Sequence, residues 1–230
     1  MGILNALFGD SSNSITFYKL YNNLKNWKQN DVFPFTYNLP QSISFPDDFW
    51  KRIISIHKNT LRDGNERAIS IYWADGELVV SPITTGDSKS VSSRGGISVK
   101  YEPHPTKKDY LRKEVILNSS LYKRLNVYSK NIPKKIEVSY LFNMHTHPQH
   151  RDNNGVGYYN FFSAQDIKSF INSNVAITGL ITDKLWMLIR TNRTPKNLDN
   201  LQDKDITVEK LKELEIGIYS GEFNKNLTKI

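Results

Sequence analysis

An alternating apolar stretch, residues 135–144, runs without a break into His145-Thr146-His147-Pro148. The two-residue alternation predicts a β-strand with one face buried. Pro148 ends it, because proline has no amide hydrogen to offer a neighbouring strand. After a polar, Gly-containing stretch, Ser163 opens a predicted helix over 163–173 from the N-cap position. Two further apolar strands, 175–182 and 185–191, come next and turn at Asp183-Lys184. A strand, a helix and two more strands bury their apolar faces by laying the helix on a sheet. This order predicts an α+β fold, an α/β-like mixed sheet flanked by helices.

Upstream, Pro46-Asp47-Asp48 starts a helix that carries Phe49, Trp50, Ile53, Ile54 and Ile56 and stops at Gly64. Residues 68–73 and 77–83 read as a hairpin joined at Ala74-Asp75-Gly76. The Gly, Ser and Thr-rich residues 84–96 are expected to form a flexible loop, 97–101 a strand and 113–128 a helix. Residues 14–29 place Phe17, Leu20, Tyr21, Leu24 and Trp27 at helical spacings of three and four. Pro34, Pro40 and Pro46 punctuate the residues after that helix. The expected organisation is an N-terminal helical extension over 1–45, a central domain over 46–192, and a polar C-terminal tail over 193–230. A short helix near 207–214 lies in that tail, and there is no internal repeat.

Composition narrows the chemistry. At 230 residues with 38% apolar side chains, the chain suits one domain with decorated ends, although a mean hydropathy of -0.51 implies polar loops. No apolar run approaches the roughly 18 residues of a membrane span. Residues 1–7 lack the basic start of a signal peptide, and Ala6 breaks the myristoylation pattern that Gly2 would begin. A cytoplasmic location and no membrane partner are expected. The absence of cysteine excludes disulfides and thiolate metal sites, so any metal must be held by His, Asp or Glu. The net charge is +8, but the lysines and arginines read as scattered along the chain, with Lys107-Lys108 and Lys134-Lys135 the densest groups, and nucleic acid is not an expected partner.

His145 and His147 lie two apart on a strand and therefore face the same way, suited to two corners of a tetrahedral zinc site. Asp166 is the candidate third ligand, sharing the first helical turn with Ser163. His150 and Asp152 are alternatives in the polar stretch. His57 reads as a packing or surface residue. No G-x-S-x-G surrounds Ser163, which argues against serine nucleophile chemistry.

The string His145-Thr146-His147-Pro148 followed by Ser163-Ala164-Gln165-Asp166 resembles the signature of the JAMM (JAB/MPN+) metalloproteases: a Glu, then H-[ST]-H-P, then S-x-x-D. Members are zinc isopeptidases and peptidases that act on ubiquitin or ubiquitin-like tails. The resemblance covers roughly residues 48–192 and implies an MPN/JAB-like, cytidine-deaminase-like architecture. It implies that His145, His147 and Asp166 hold Zn2+, that Ser163 hydrogen-bonds near the reacting oxygen, and that a general-base Glu stands on a strand after the first core helix. Glu66 stands there, and Glu77, at the start of the second hairpin strand, is its rival. It further implies a ubiquitin-like protein or its conjugate as partner, with a catalytically inactive MPN-like scaffold as the alternative. The chain departs from the pattern in two ways. Ser163 stands 16 positions after His147, a longer gap than is usual, although a strand-to-helix loop insertion costs little. The small-residue pattern after the Glu is replaced by Ala68-Ile69-Ser70-Ile71.

Overall fold

A computed structural model describes residues 14–30, 32–74, 77–92, 97–117, 120–124, 128–130, 138–148, 150–151, 157–158, 160–173 and 175–230. Four α-helices occur among them: α1 (Phe17–Asn30), α2 (Asp47–Asp63), α3 (Ala164–Asn172) and α4 (Val208–Glu213). The strands, in chain order, are β1 (Ser14–Thr16), β2 (Ser42–Ser44), β3 (Arg67–Ala74), β4 (Glu77–Val80), β5 (Thr84–Thr85), β6 (Ile97–Pro103), β7 (Tyr110–Leu117), β8 (Ser120–Arg124), β9 (Ser129–Lys130), β10 (Val138–Thr146), β11 (His150–Arg151), β12 (Gly157–Tyr158), β13 (Ile177–Ile181), β14 (Leu185–Ile189), β15 (Gly217–Gly221) and β16 (Leu227–Lys229).

The main sheet runs β1-β2-β16-β15-β14-β13-β10-β3-β4, with β5 also paired to β3. It is mixed: β10 and β13 are parallel, as are β1 and β2, and the other pairs are antiparallel. A parallel pair needs a crossover, and α3 lies on the connection from β10 to β13. Helices cover both faces. Phe17, Leu20 and Trp27 of α1 and Trp50, Ile53 and Ile56 of α2 pack with Ile177, Ile181, Leu185, Met187 and Ile189. Ile167, Phe170 and Ile171 of α3 and Leu211 of α4 pack with Leu180, Trp186 and Leu188. Every residue of β13 and β14 is buried because the sheet is sandwiched here, which explains their continuous apolar sequences.

The helix expected from Pro46 is α2, with Asp47 and Asp48 in its first turn and Gly64 in the left-handed conformation at its C-cap. The expected hairpin is β3–β4; its tip, Asp75-Gly76, lies outside the described residues. The expected helix over 113–128 is corrected: no described residue of this stretch is helical, and 113–117 and 120–124 are strand, β7 and β8. β7 pairs with β6 from Leu111 through Leu117 on one side and with β8 and β9 on the other. Long-range pairing overrides a weak helical periodicity in a segment rich in Val, Ile, Leu and Tyr. These four strands form a separate sheet inserted between β5 and β10.

At both ends of the chain, strands extend the main sheet. β1 and β2 join the main sheet, and Phe17, Leu20, Trp27 and Ile43 lie in its core. Beyond α4, which starts at the Thr207 N-cap, β15 and β16 extend the sheet from β14. Gly217 lets β15 in closely, since a Cβ there would meet Leu39 Cδ1 at 2.3 Å. Within the expected loop, Thr84–Thr85 is a short strand on β3.

Candidate metal centre

Pairing of β10 between β3 and β13 puts the end of β10 inside the sheet, with His145 opposite both Ala68 and Leu180. Strand alternation then splits the motif. Thr146, fully buried, points to the α2 side, where its Oγ1 lies 2.8 Å from Thr60 Oγ1 and accepts the Arg67 amide at 2.8 Å. His145 and His147 share the other side, with Nε2 atoms 3.1 Å apart. Asp166 meets them from α3: Oδ1 is 3.1 Å from His145 Nε2, and Oδ2 is 3.4 Å from His147 Nε2.

Helix capping places that carboxylate. Ser163 is the N-cap of α3 and forms a capping box with Asp166. The Ser163 amide and hydroxyl each donate to Asp166 Oδ2 at 2.8 Å, and Ser163 Oγ accepts the Asp166 amide at 3.2 Å. The residues expected on sequence grounds to share the first turn are thus locked together. In the structure the Ser163 hydroxyl is engaged with Asp166.

The donor set fits a metal ion. His145, His147 and Asp166 each offer one ligand atom, all within 4.8 Å of one another. A tetrahedral zinc site with bonds of about 2.0–2.1 Å has ligand-to-ligand edges of about 3.3 Å. The His145–His147 and His145–Asp166 Oδ1 separations, both 3.1 Å, are close to that, while the 3.4 Å contact of His147 is to the other carboxylate oxygen, Oδ2. His147 Nδ1 donates to the Phe161 carbonyl at 3.1 Å, since a carbonyl only accepts; in the neutral ring this leaves the Nε2 lone pair for the cluster. The group can hold a metal ion; the geometry suits several divalent metals.

Glu66 lines the same cavity of about 500 Å³ and is 5% exposed. Its backbone is fixed from both sides: the Glu66 amide donates to the Asp87 carbonyl at 2.7 Å, and its carbonyl accepts from Gly86 at 2.9 Å. Asp87 Oδ1 in turn accepts the amides of Lys89 and Ser90, so this part of the expected flexible loop is an ordered turn at the cavity rim. Burial pushes the Glu66 carboxyl up, against the opposing pull of the two histidines. Burial also pushes Asp166 up, but His145 and His147 outweigh it and hold the carboxyl well below the usual range. Burial alone would lower His145; Asp166 and Glu66 together raise it.

The backbone separates the two candidate bases. Glu77 pairs with Ala74, whereas His145 pairs with Ala68, six residues away along β3. At about 3.3 Å per residue that is about 20 Å, so Glu77 lies at the far end of the hairpin. His57 is part-buried in α2 with its ring 5.2 Å from Phe223, as a packing residue would be. Phe162 is buried under α3, and Phe161 packs on Trp186 at 4.6 Å. His150 is described only as backbone in β11, and Asp152 lies outside the described residues.

Several participants were not visible in the sequence. The Phe161 carbonyl and the Thr60–Thr146 contact are long-range and have no local signal. Tyr140 and Asn143 also line the cavity. Asn143 alternates with His145 and was readable; Tyr140 is out of phase and reaches that face through the register shift between Tyr140 and Phe142.

No family model matches the chain, and comparison with curated proteins and with solved structures gave no significant match.

Proposed function

We propose that this chain is a zinc-dependent isopeptidase or peptidase of the JAMM type, built on an MPN/JAB-like sheet and removing or trimming a ubiquitin-like modifier. The observation that carries the reading is the convergence of His145, His147 and Asp166, whose ligand atoms lie within 4.8 Å of one another, with a buried carboxylate, Glu66, in one cavity. The order of the ligands along the chain and the Ser163–Asp166 capping box support it, as does the resemblance of the motif.

When bound, zinc supplies Lewis acidity and lowers the pKa of water from 15.7 to about 7. His145, His147 and Asp166 hold it; the Phe161 carbonyl and Ser163 orient two of these ligands. Glu66 takes the proton from the attacking water and returns it to the leaving nitrogen, and its burial moves its affinity for protons toward what that exchange requires. The Ser163 hydroxyl, once its proton turns from Asp166, donates to the developing oxyanion. One such donor is typically worth about 3 kcal/mol.

The test uses ubiquitin-like proteins carrying a C-terminal amide-linked reporter, with Glu66→Gln as the control. Zinc-dependent release of the reporter, lost in Glu66→Gln while the variant still binds zinc, is the expected result. Zinc binding with no release from any such reporter would instead favour the inactive scaffold.

A further inference from the structure

The segment that holds the small inserted sheet β6–β9 carries nearly all of the chain's net charge. Residues 97–135 contain 10 of the 31 Lys and Arg but 3 of the 23 Asp and Glu, a formal +7 in 39 residues; the remaining 191 residues carry +1. A compositional bias toward lysine would have spread the excess evenly. In sequence these cations stand as scattered pairs, and strand pairing gathers those within β6, β7, β8 and β9 onto one element.

Aromatic rings are interleaved with the cations at the β6–β7 end of this sheet. His104, Tyr110 and Tyr128 form a cluster, with His104 4.6 Å from Tyr128 and 6.5 Å from Tyr110. Lys107 Nζ lies 5.6 Å from the Tyr110 ring centre, and the Arg112 guanidinium 5.1 Å from that of Tyr128. The turn is cross-linked by hydrogen bonds: His104 Nδ1 accepts the amides of Thr106 and Lys107, each at 3.1 Å, and Asp109 adopts a left-handed φ of 67°. It holds Lys107 and Lys108 exposed at its tip, beside exposed Lys130, which pairs with Tyr110. Opposing charge is limited here, since Arg112 engages Glu102 and Asp109 is the remaining exposed carboxylate of the turn.

We propose that the β6–β9 sheet is a docking surface for single-stranded nucleic acid. Cations track a phosphate backbone, and aromatic rings among them stack on bases, each of which has a π-face. An acidic protein would satisfy the lysines but make no use of the rings. The surface is distinct from the metal cavity, whose lining includes none of these residues. It does not depend on the activity proposed for that cavity.

The experiment is fluorescence anisotropy of the full chain with a fluorescein-labelled 20-nucleotide oligo(dT) and its oligo(U) counterpart, in increasing salt. Wild type binds at least one of them at about 50 mM salt, with log K falling linearly with log salt. The triple variant Lys107→Ala, Lys108→Ala, Lys130→Ala binds at least tenfold more weakly, and its salt slope is shallower by about 2, at about 0.7 per lost phosphate contact. Removing three exposed lysines elsewhere, with Lys19→Ala, Lys196→Ala and Lys204→Ala, changes binding less than twofold. Absence of binding by wild type, or equal loss in the two triple variants, overturns the proposal. Displacement of the oligonucleotide by poly-glutamate at matched charge concentration also overturns it, in favour of an acidic protein partner. All six positions are exposed, and circular dichroism verifies that both variants fold.

Discussion

His147 Nδ1 donates to the carbonyl of Phe161 across 14 residues of chain, at 3.1 Å. The bond ties the residue just past β10 to the lead-in of α3, so that the strand end carrying His145 and His147 and the helix bearing Asp166 close on each other. It also fixes which ring nitrogen of His147 faces Asp166. The long stretch between His147 and Ser163 is therefore anchored at the point where the site needs it, whatever its length.

Ser163 is predicted to matter first through Asp166. Ser163→Ala removes the cap and one of the donors to Oδ2, costing about 1 kcal/mol of stability and about 10–100-fold in zinc affinity. Thermal unfolding and competition with a chromogenic chelator measure the two separately. An unchanged affinity would show that the capping box does not orient the ligand.

Thr146 stands between the two histidines but serves the opposite side of the sheet. Thr146→Val leaves the Arg67 amide and Thr60 hydroxyl without this partner in a buried site, at about 1–3 kcal/mol for each group left unsatisfied. Thr146→Ser keeps the hydroxyl and should lie within about 1 kcal/mol of wild type by denaturant unfolding.

Acid stability depends in part on Asp63. The hydrogen bond from the Arg67 side chain, then the Asn65 amide, hold the Asp63 carboxyl down at about 2. A folded-state pKa below the unfolded one stabilises at higher pH and loses that contribution as pH falls. The melting temperature should drop between about pH 4 and 2, and Asp63→Asn should flatten this limb while lowering stability at neutral pH.

Ile43, fully buried in β2, tests whether the first strands belong to the main fold. Ile43→Ala should cost about 2–5 kcal/mol in a single cooperative transition. A loss below about 1 kcal/mol, or a separate early transition, would mean that this region folds apart from the rest.

The parts of the fold that were legible in the sequence are those whose signals are local. α2 was marked by Asp47, Asp48 and Gly64, α3 by the Ser163 cap, and β13–β14 by continuous apolar runs. The facing of His145 and His147 came from strand alternation alone. What local signals could not show was pairing between distant segments. β7–β8 looked weakly helical because its strand character comes from β6, and β15–β16 were hidden because five-residue and three-residue strands are defined by their neighbours. Glu66 was preferred to Glu77 from its place after the first core helix; the β3–β10 register adds the distance that separates Glu77 from His145.

The central claim is that His145 and His147, at the end of β10, and Asp166 of α3 hold one zinc ion, and the metal content of the purified protein tests it most directly. After equilibration with zinc and removal of the excess, mass spectrometry of the metal should give about one zinc per chain, lost in His145→Ala and Asp166→Ala and retained in Glu66→Gln. Wild-type protein that is folded and yet takes up no zinc when zinc is supplied would contradict the account.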